Sequence, residues 1–425
     1  MPINFLADKR RAVLTLALML LGAISFYAQT SPGAERTEIF EQVWTTINER
    51  YYDPSFNGAD WKAVKDKYFA RLARVSNEKD FYLLLDRMAG ELRDSHTRVY
   101  SPAQRLERKE QKRVGVGISV REIEGLPVIF SVAPDSEAAR AGVKPGMIVR
   151  AVNGQTMAQA MAEARLTVGV SSSDRATKMR VFSRILTGEP ETVLNLEVLD
   201  AQKKVRKFAL VRHVVPVVSQ VTARILPSGV AYLKFDKFDE SLEKEIEEAV
   251  RVFTDALGLI VDLRGNGGGD GEVGLRFAGL FFDDKITIAR IVTRTGKPPF
   301  PEMPMTLETG AKGAQIFSRP VVILVDEGTA STSELISNAL QEQKRATIFG
   351  ANSCGCVLAF LDYIPLKGGG DLTMSEFGFI TAQNKKLEGR GVVPDKNFAP
   401  TLKDLRKERD TALSEAELFL RNSSK

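Results

Sequence analysis

Residues 259–263 read Leu-Ile-Val-Asp-Leu and run directly into Arg264-Gly265-Asn266-Gly267-Gly268-Gly269. A short apolar run of this kind belongs in the middle of a sheet covered on both faces. The four glycines around one asparagine give access to backbone angles closed to other residues. They also let N–H groups approach a ligand oxygen closely. The segment is therefore either a cradle for an anion or oxyanion, or a tight strand-to-helix turn. It lacks the Gly-Lys-Ser/Thr ending of a phosphate loop, and its spacing is wrong for a dinucleotide fingerprint.

The flanking pattern predicts alternating strands and helices. Strands are expected at 230–235, 287–293 and 320–325. Helices are expected from Ser241 (with Ile246, Ala249, Val250, Phe253 and Leu257 on one side), over 272–282 and over 331–343. This is an α/β pattern. Further strands are expected at 346–349 and 357–363, and a charged surface helix over 402–422.

A chain of 425 residues has room for two or three domains. Upstream, Ile39, Phe40, Val43, Trp44, Ile47 and Tyr51 make one helical stripe, and Phe81, Leu84, Leu85, Met88 and Leu92 a second. They predict a helical domain over 35–102, followed by a charged linker or exposed edge at 103–112. Short β runs then mark a compact module over 110–212, with an Asn153-Gly154 turn. The α/β core follows over 219–400 and a helical tail over 401–425. Lys9, Arg10 and Arg11 precede an apolar run to Ala28. That is the layout of an export signal, with an uncleaved membrane anchor as the alternative. It predicts a protein exported to the periplasm or held on the outer side of the cytoplasmic membrane.

Composition excludes several classes of function. The net charge of +5 is spread with alternating sign, which argues against a nucleic-acid partner. Two cysteines and two histidines leave little material for a metal site, and no metal or other cofactor is expected. A second polar turn, Asp326-Glu327-Gly328-Thr329-Ala330-Ser331-Thr332-Ser333-Glu334, joins the strand at 320–325 to the next helix. Ser331 is either a nucleophile near a helix N-terminus or an ordinary cap paired with Glu334 in a capping box. His96 lies in a polar segment and is the better candidate base; His213 reads as structural.

Taken together, residues 262–269, 328–334, Ala339-Leu340-Gln341 and Leu387-Glu388-Gly389-Arg390-Gly391-Val392-Val393-Pro394-Asp395 resemble the carboxyl-terminal processing, or tail-specific, serine peptidases of the tricorn core superfamily. The resemblance covers about 35–400. It implies a multidomain α/β fold: a ClpP/crotonase-like peptidase core, an inserted PDZ domain and an N-terminal helical segment. It implies Ser331 as nucleophile, with Thr332 and Gly268 as oxyanion donors. Gly115, Val116, Gly117 and Ile118 look like a PDZ loop for a peptide carboxylate, with Val116 and Ile118 beside the receiving pocket.

One position departs from the family. Where the usual lysine base is expected, 25 residues beyond Ser331, stands Cys356 in Ser353-Cys354-Gly355-Cys356; Lys344 lies too early and Lys367 too late. A thiol is a poor substitute for an amine in that role. The histidine-using branch supplies an alternative, because residues 91–97 resemble its histidine segment. On that resemblance His96 is the base and Glu388 orients it, with Glu376 as the rival. Such a carboxylate is expected to raise the His96 pKa. Cys354 and Cys356 are candidates for a Cys-x-Cys disulfide. The expected activity is processing of the C-terminal ends of exported proteins through an acyl-enzyme, acting on proteins or peptides with free C-termini. The alternatives are an inactive family member serving as a peptide-binding scaffold, and a binder of small apolar ligands on the same core. Membrane association through the N-terminus stays open.

Overall fold

The computed structural model describes residues 32–310 and 316–423. The expected signal or anchor at 1–28 lies outside the described residues. No helix among the described residues is long and apolar enough to cross a membrane.

The amino-terminal part is helical: α1 (Pro32–Arg50), α2 (Trp61–Leu72) and α3 (Glu78–Ala89). Both predicted stripes pack inward, with Phe40, Val43, Ile47, Leu85, Met88 and Leu92 fully buried. This core is completed by Leu358, Leu366, Leu372 and Met374 from far along the chain. The strand Arg98–Tyr100 pairs antiparallel with Asp371–Thr373. The segment expected as a linker at 103–112 is instead mostly helix α4 (Pro102–Lys109). Ser101 and Gln104 close a capping box there, and Pro102 sits in the first turn. Its charged residues conceal the helix because none of its side chains is buried.

The middle module hangs on a two-stranded stem, Lys112–Gly115 against His213–Pro216. Its sheet runs β1 (Ile118–Ile123), β2 (Leu126–Val132), β3 (Ile148–Val152), β4 (Val193–Leu199) and β5 (Val205–Val211), each pairing antiparallel with its neighbour. β1 is an edge strand. Two helices absent from the sequence reading, α5 (Met157–Arg165) and α6 (Asp174–Leu186), complete the module. α6 lies beside β1, and Lys178 pairs with Glu122 across the two elements at 2.6 Å.

The third part is built on a sheet ordered β6 (Val221–Ile225), β7 (Ala231–Phe235), β8 (Leu259–Asp262), β9 (Val321–Val325), β10 (Ala346–Gly350) and β11 (Lys396–Asn397). From β7 onward the pairs are parallel. β8 and β9 are buried at every residue, as the apolar runs require. Helices α7 (Glu240–Val252), α8 (Gly271–Gly279) and α9 (Thr332–Glu342) share one apolar core with the sheet. The other core of the sheet takes in Ala412, Ala416 and Leu420.

Two expected elements differ in the structure. Residues 357–363 do not form a strand. The side chain of Glu388 takes the N–H groups of Val357 (2.7 Å) and Leu358 (3.2 Å), and Glu376 takes that of Leu361 (3.0 Å). These carboxylates satisfy groups that a strand would offer to a ladder. The tail is two helices rather than one, α10 (Leu402–Arg406) and α11 (Thr411–Ser423). Glu408 breaks it with a positive φ, and Asp410 accepts the Leu413 N–H at 3.0 Å to start the second helix.

Candidate active site

β8 and β9 are parallel neighbours, so the glycine turn after β8 and the serine turn after β9 emerge at the same edge of the sheet. That edge is where open α/β sheets place their ligands. The two turns are joined by several hydrogen bonds. The Thr329 hydroxyl donates to the Leu263 carbonyl at 2.7 Å, and the Ala330 N–H to the Asn266 carbonyl at 3.0 Å. The Thr332 hydroxyl donates to the Gly269 carbonyl at 2.8 Å. Asp326 accepts the N–H groups of Gly265 and Gly328, both at 2.9 Å. Asp262 has a different task. It is fully buried and binds the Tyr232 hydroxyl and the Arg264 guanidinium, which continues to Asp410 in front of α11. Burial would raise its pKa, but Arg264 outweighs this and holds the carboxyl below its usual range.

Ser331 stands immediately before α9 with φ 55° and ψ −124°. A side chain with a Cβ is strained there, at a cost of about 1–3 kcal/mol, and persists only where its surroundings over-determine it. The surroundings are tight. A Cβ on Gly268 would come within 2.7 Å of the Ser331 Cβ and 2.9 Å of the Thr332 nitrogen, so only glycine fits against the serine. The Ser331 N–H donates to the Cys356 carbonyl at 2.9 Å and to Glu334 Oε2 at 3.2 Å.

Among the described residues, the Thr332 N–H has no acceptor, which fits its expected oxyanion role. The Gly268 N–H does not fit. It donates to Asn266 Oδ1 at 2.9 Å, because the asparagine side chain folds back over the turn, where it also takes the Ser333 hydroxyl at 2.8 Å. The unbonded N–H groups of this turn, among the described residues, belong to Gly267 and Gly269.

Glu334 does more than cap a helix. It is fully buried and accepts the Ser353 hydroxyl (2.5 Å) and the N–H groups of Gly355 (2.7 Å) and Cys356 (2.8 Å). Burial pushes its pKa up against the pull of these donors. Cys354 and Cys356 form a disulfide with Cα atoms 5.3 Å apart, at the position where the family resemblance expects a lysine.

His96 follows an Asx turn in which Asp94 accepts the N–H groups of His96 (2.6 Å) and Thr97 (2.9 Å). Its Nδ1 pairs with the Ser95 hydroxyl at 2.8 Å, and Thr373 donates to its carbonyl at 2.6 Å. Among the described residues, His96 has no hydrogen bond to Ser331 or Glu388. Glu388 therefore does not orient the ring, as the sequence reading expected; Ser95 does. Burial lowers the His96 pKa, Asp94 opposes this and Arg180 adds to it, so the expected upward shift is replaced by a downward one.

Glu388 still shares the neighbourhood. Ser172 accepts the Ser95 N–H at 3.0 Å and acts on the Glu388 carboxyl, which also feels Asp94. One Glu388 oxygen holds Val357 and Leu358; the other is buried with no hydrogen-bond partner among the described residues. Burial pushes its pKa up to about 7, with Ser172 pulling down and Asp94 pushing up. Glu376 is committed elsewhere, paired with Arg50 at 2.5 Å and with the Leu361 N–H.

The amino end of α6 was missed and is part of this site. Ser173 donates to the Cys354 carbonyl at 2.6 Å, and Arg175 donates to the carbonyls of Ser353 (3.0 Å) and Arg390 (2.8 Å). The sequence Ser171-Ser172-Ser173-Asp174 carries the N-cap signal that would have revealed it. On β1, Arg121 pairs with Asp326 at 2.6 Å. The head of β1 keeps two N–H groups, Val116 and Gly117, without acceptors among the described residues. Gly115, however, belongs to the stem opposite His213. The Val116 side chain is buried in the module core and does not flank an open pocket, whereas Ile118 is half-buried against that core. His213 is a half-exposed stem residue near Glu191 and Glu137, away from this chemistry.

Comparison with known proteins agrees with this layout. The peptidase family S41 model matches residues 229–398, and the tricorn protease C1 domain model matches residues 32–90. A carboxyl-terminal-processing protease from Synechocystis is 28% identical over 406 residues, covering 92% of this chain and 88% of the relative. The chloroplastic carboxyl-terminal-processing peptidase 2 of Arabidopsis thaliana is 25% identical, covering 92% and 76%. In fold, the chain is similar to a photosystem II D1 C-terminal processing protease, with a TM-score of 0.60, 23% identity and coverage of 92% and 98%. Mature CPAF gives a TM-score of 0.69 at 12% identity, covering 91% and 96%. With its serine turn and glycine turn locked together at the sheet edge, the chain belongs to the carboxyl-terminal-processing family of S41 serine peptidases.

Proposed function

We propose that this protein captures the free carboxyl end of an exported protein or peptide and cuts the chain nearby, with Ser331 as nucleophile. The observation that carries the reading is the Ser331 backbone, held at positive φ against Gly268 with the Thr332 N–H unbonded beside it. Ser331 Oγ attacks the scissile carbonyl. The oxyanion is met by the N–H of Thr332 and by one from the glycine turn, Gly269 or Gly267 in place of Gly268. In the tautomer that donates Nδ1–H to the Ser95 hydroxyl oxygen, 2.8 Å away, Nε2 of His96 is the lone-pair nitrogen. That nitrogen takes the serine proton and returns it to the leaving amine. Water then attacks the acyl ester, and the acid product leaves. Glu388 acts from the side by holding the backbone just beyond Cys356.

The middle module is read as a PDZ domain inserted before a ClpP/crotonase-like core. Support comes from the edge strand β1, the helix α6 beside it and the unbonded N–H groups of Val116 and Gly117. A chain end adds to β1, and its carboxylate meets those N–H groups. The basic and apolar amino terminus supports export to the periplasm or to the outer face of the membrane.

A fluorophosphonate probe applied to the full chain tests the chemistry. Labelling lost in Ser331→Ala and strongly reduced in His96→Ala is expected. Absence of labelling in the native protein, with peptide binding retained, would favour the inactive scaffold. Equal affinity for peptides with free and amidated carboxyl ends would remove the recognition step.

A further inference from the structure

The Cys354–Cys356 disulfide occupies the place of a family base, yet a disulfide sulfur has no role in accepting the serine proton. Its surroundings indicate another task. Both cysteines are buried, and they pack with Ala176 of α6 and with Ala330 of the serine turn. Every backbone polar group of the three-residue turn is engaged. The Cys354 N–H donates to the Thr329 carbonyl at 2.9 Å, and the Cys356 carbonyl accepts the Ser331 N–H at 2.9 Å. The N–H groups of Gly355 and Cys356 go to Glu334. The Cys354 carbonyl takes the Ser173 hydroxyl, and the Gly355 carbonyl takes the Gly389 N–H at 2.8 Å.

The first two bonds are the informative ones. They grip the chain on either side of Ala330, one residue before the strained Ser331. The disulfide links the two residues that supply this grip, so it restricts how the Cys354 N–H and the Cys356 carbonyl move relative to each other. A serine held at positive φ needs such over-determination. We infer that the Cys354–Cys356 disulfide is a positioning element of the peptidase site, holding residues 329–331 in the shape from which Ser331 reacts. This rests on the reading of Ser331 as nucleophile. Opening the bond with a dithiol passes two electrons and two protons to the pair. Two cysteine thiols and an oxidised, cyclic dithiol result. Both catalytic side chains stay in place, but the grip on residues 329–331 slackens.

The test uses the purified full chain and a fluorogenic peptide with a free carboxyl end. kcat and KM are measured as purified, after dithiothreitol, and after reoxidation with oxidised dithiothreitol, with thiols counted by mass spectrometry. The Cys354→Ser/Cys356→Ser double variant is run in parallel, and circular dichroism follows the fold. The expected result is a fall in kcat of about ten- to a hundredfold on reduction, the range in which small misplacements act. KM should change less than twofold, and reoxidation should restore kcat. The double variant should sit at the reduced level and ignore reductant. Unchanged kcat in the reduced protein or in the double variant overturns the proposal. So do free thiols in the protein as purified, and so does global unfolding on reduction, which would make the bond a general staple. A Ser331→Ala control separates the two claims: activity surviving there defeats the nucleophile reading, whatever the redox response.

Discussion

Glu334 Oε2 accepts the Cys356 N–H at 2.8 Å, so the first turn of α9 and the disulfide turn are held by one buried carboxylate. The same side chain also binds Ser353 and Gly355. Glu334→Ala leaves these donors buried without an acceptor. It should cost about 3 kcal/mol or more, since bonds to a charged acceptor are worth ~1.5–3 kcal/mol each. Glu334→Gln, which keeps an acceptor oxygen, should cost less. Urea unfolding checks both, and an alanine variant as stable as the native protein would contradict this account of the turn.

The Ser331 backbone makes a separate prediction about stability. Ser331→Ala and Ser331→Gly should both be inactive, but glycine relieves the positive φ. The glycine variant should be the more stable of the two by about 1 kcal/mol. Thermal unfolding of the pair decides this, and equal midpoints would mean that the position is unstrained.

Burial and Arg180 lower the His96 pKa against the pull of Asp94. The neutral imidazole then persists further into acid, so the acid limb of kcat/KM should lie below the unperturbed value of about 6.5. Arg180→Gln removes a repelling cation and should move that limb upward; Asp94→Asn should move it further down. A pH profile in which the native limb lies above 6.5, or does not respond to Arg180, would count against His96 as the base.

Glu388 is raised from 4.5 to about 7, mainly by burial. A raised folded-state pKa means that the folded protein holds the proton more tightly than the unfolded chain. The contribution is therefore favourable at low pH and is lost as pH rises through 7. Glu388→Gln keeps an acceptor for Val357 and Leu358 without the charge. Its stability relative to the native protein should improve between pH 5 and pH 8.5 by up to about 2 kcal/mol. A difference that stays flat over this range would show that Glu388 is not a buried carboxyl with a raised pKa.

The parts legible in the sequence are those governed by local pattern. The apolar runs of β8 and β9 demanded burial on both faces, and the stripes of α1 and α3 demanded one packed side. The glycine run at 265–269 was legible as a place of close backbone approach, and the fold shows that what Gly268 approaches is Ser331. Helices α5 and α6 were passed over between two β runs, although Ser173 marks the start of α6.

The partners of each polar group depended on tertiary structure. Glu334 looked like a capping residue because only Ser331 is near it in sequence; the turn at 353–356 reaches it from the far side of β10. Glu376 stood as the rival of Glu388, and nothing local to either residue separates them. In the fold Arg50 claims the first, and burial leaves the second with a raised pKa. The direction of the His96 shift followed the same rule, since it is set by burial and by Arg180, which lies 84 positions away in the chain. Local pattern determined the buried strands β8 and β9, the amphipathic helices α1 and α3 and the glycine-rich turn after β8. Desolvation and hydrogen-bond pairing act between groups distant in sequence, so the tertiary structure alone decided which carboxylate oxygen and which amides are left without a partner.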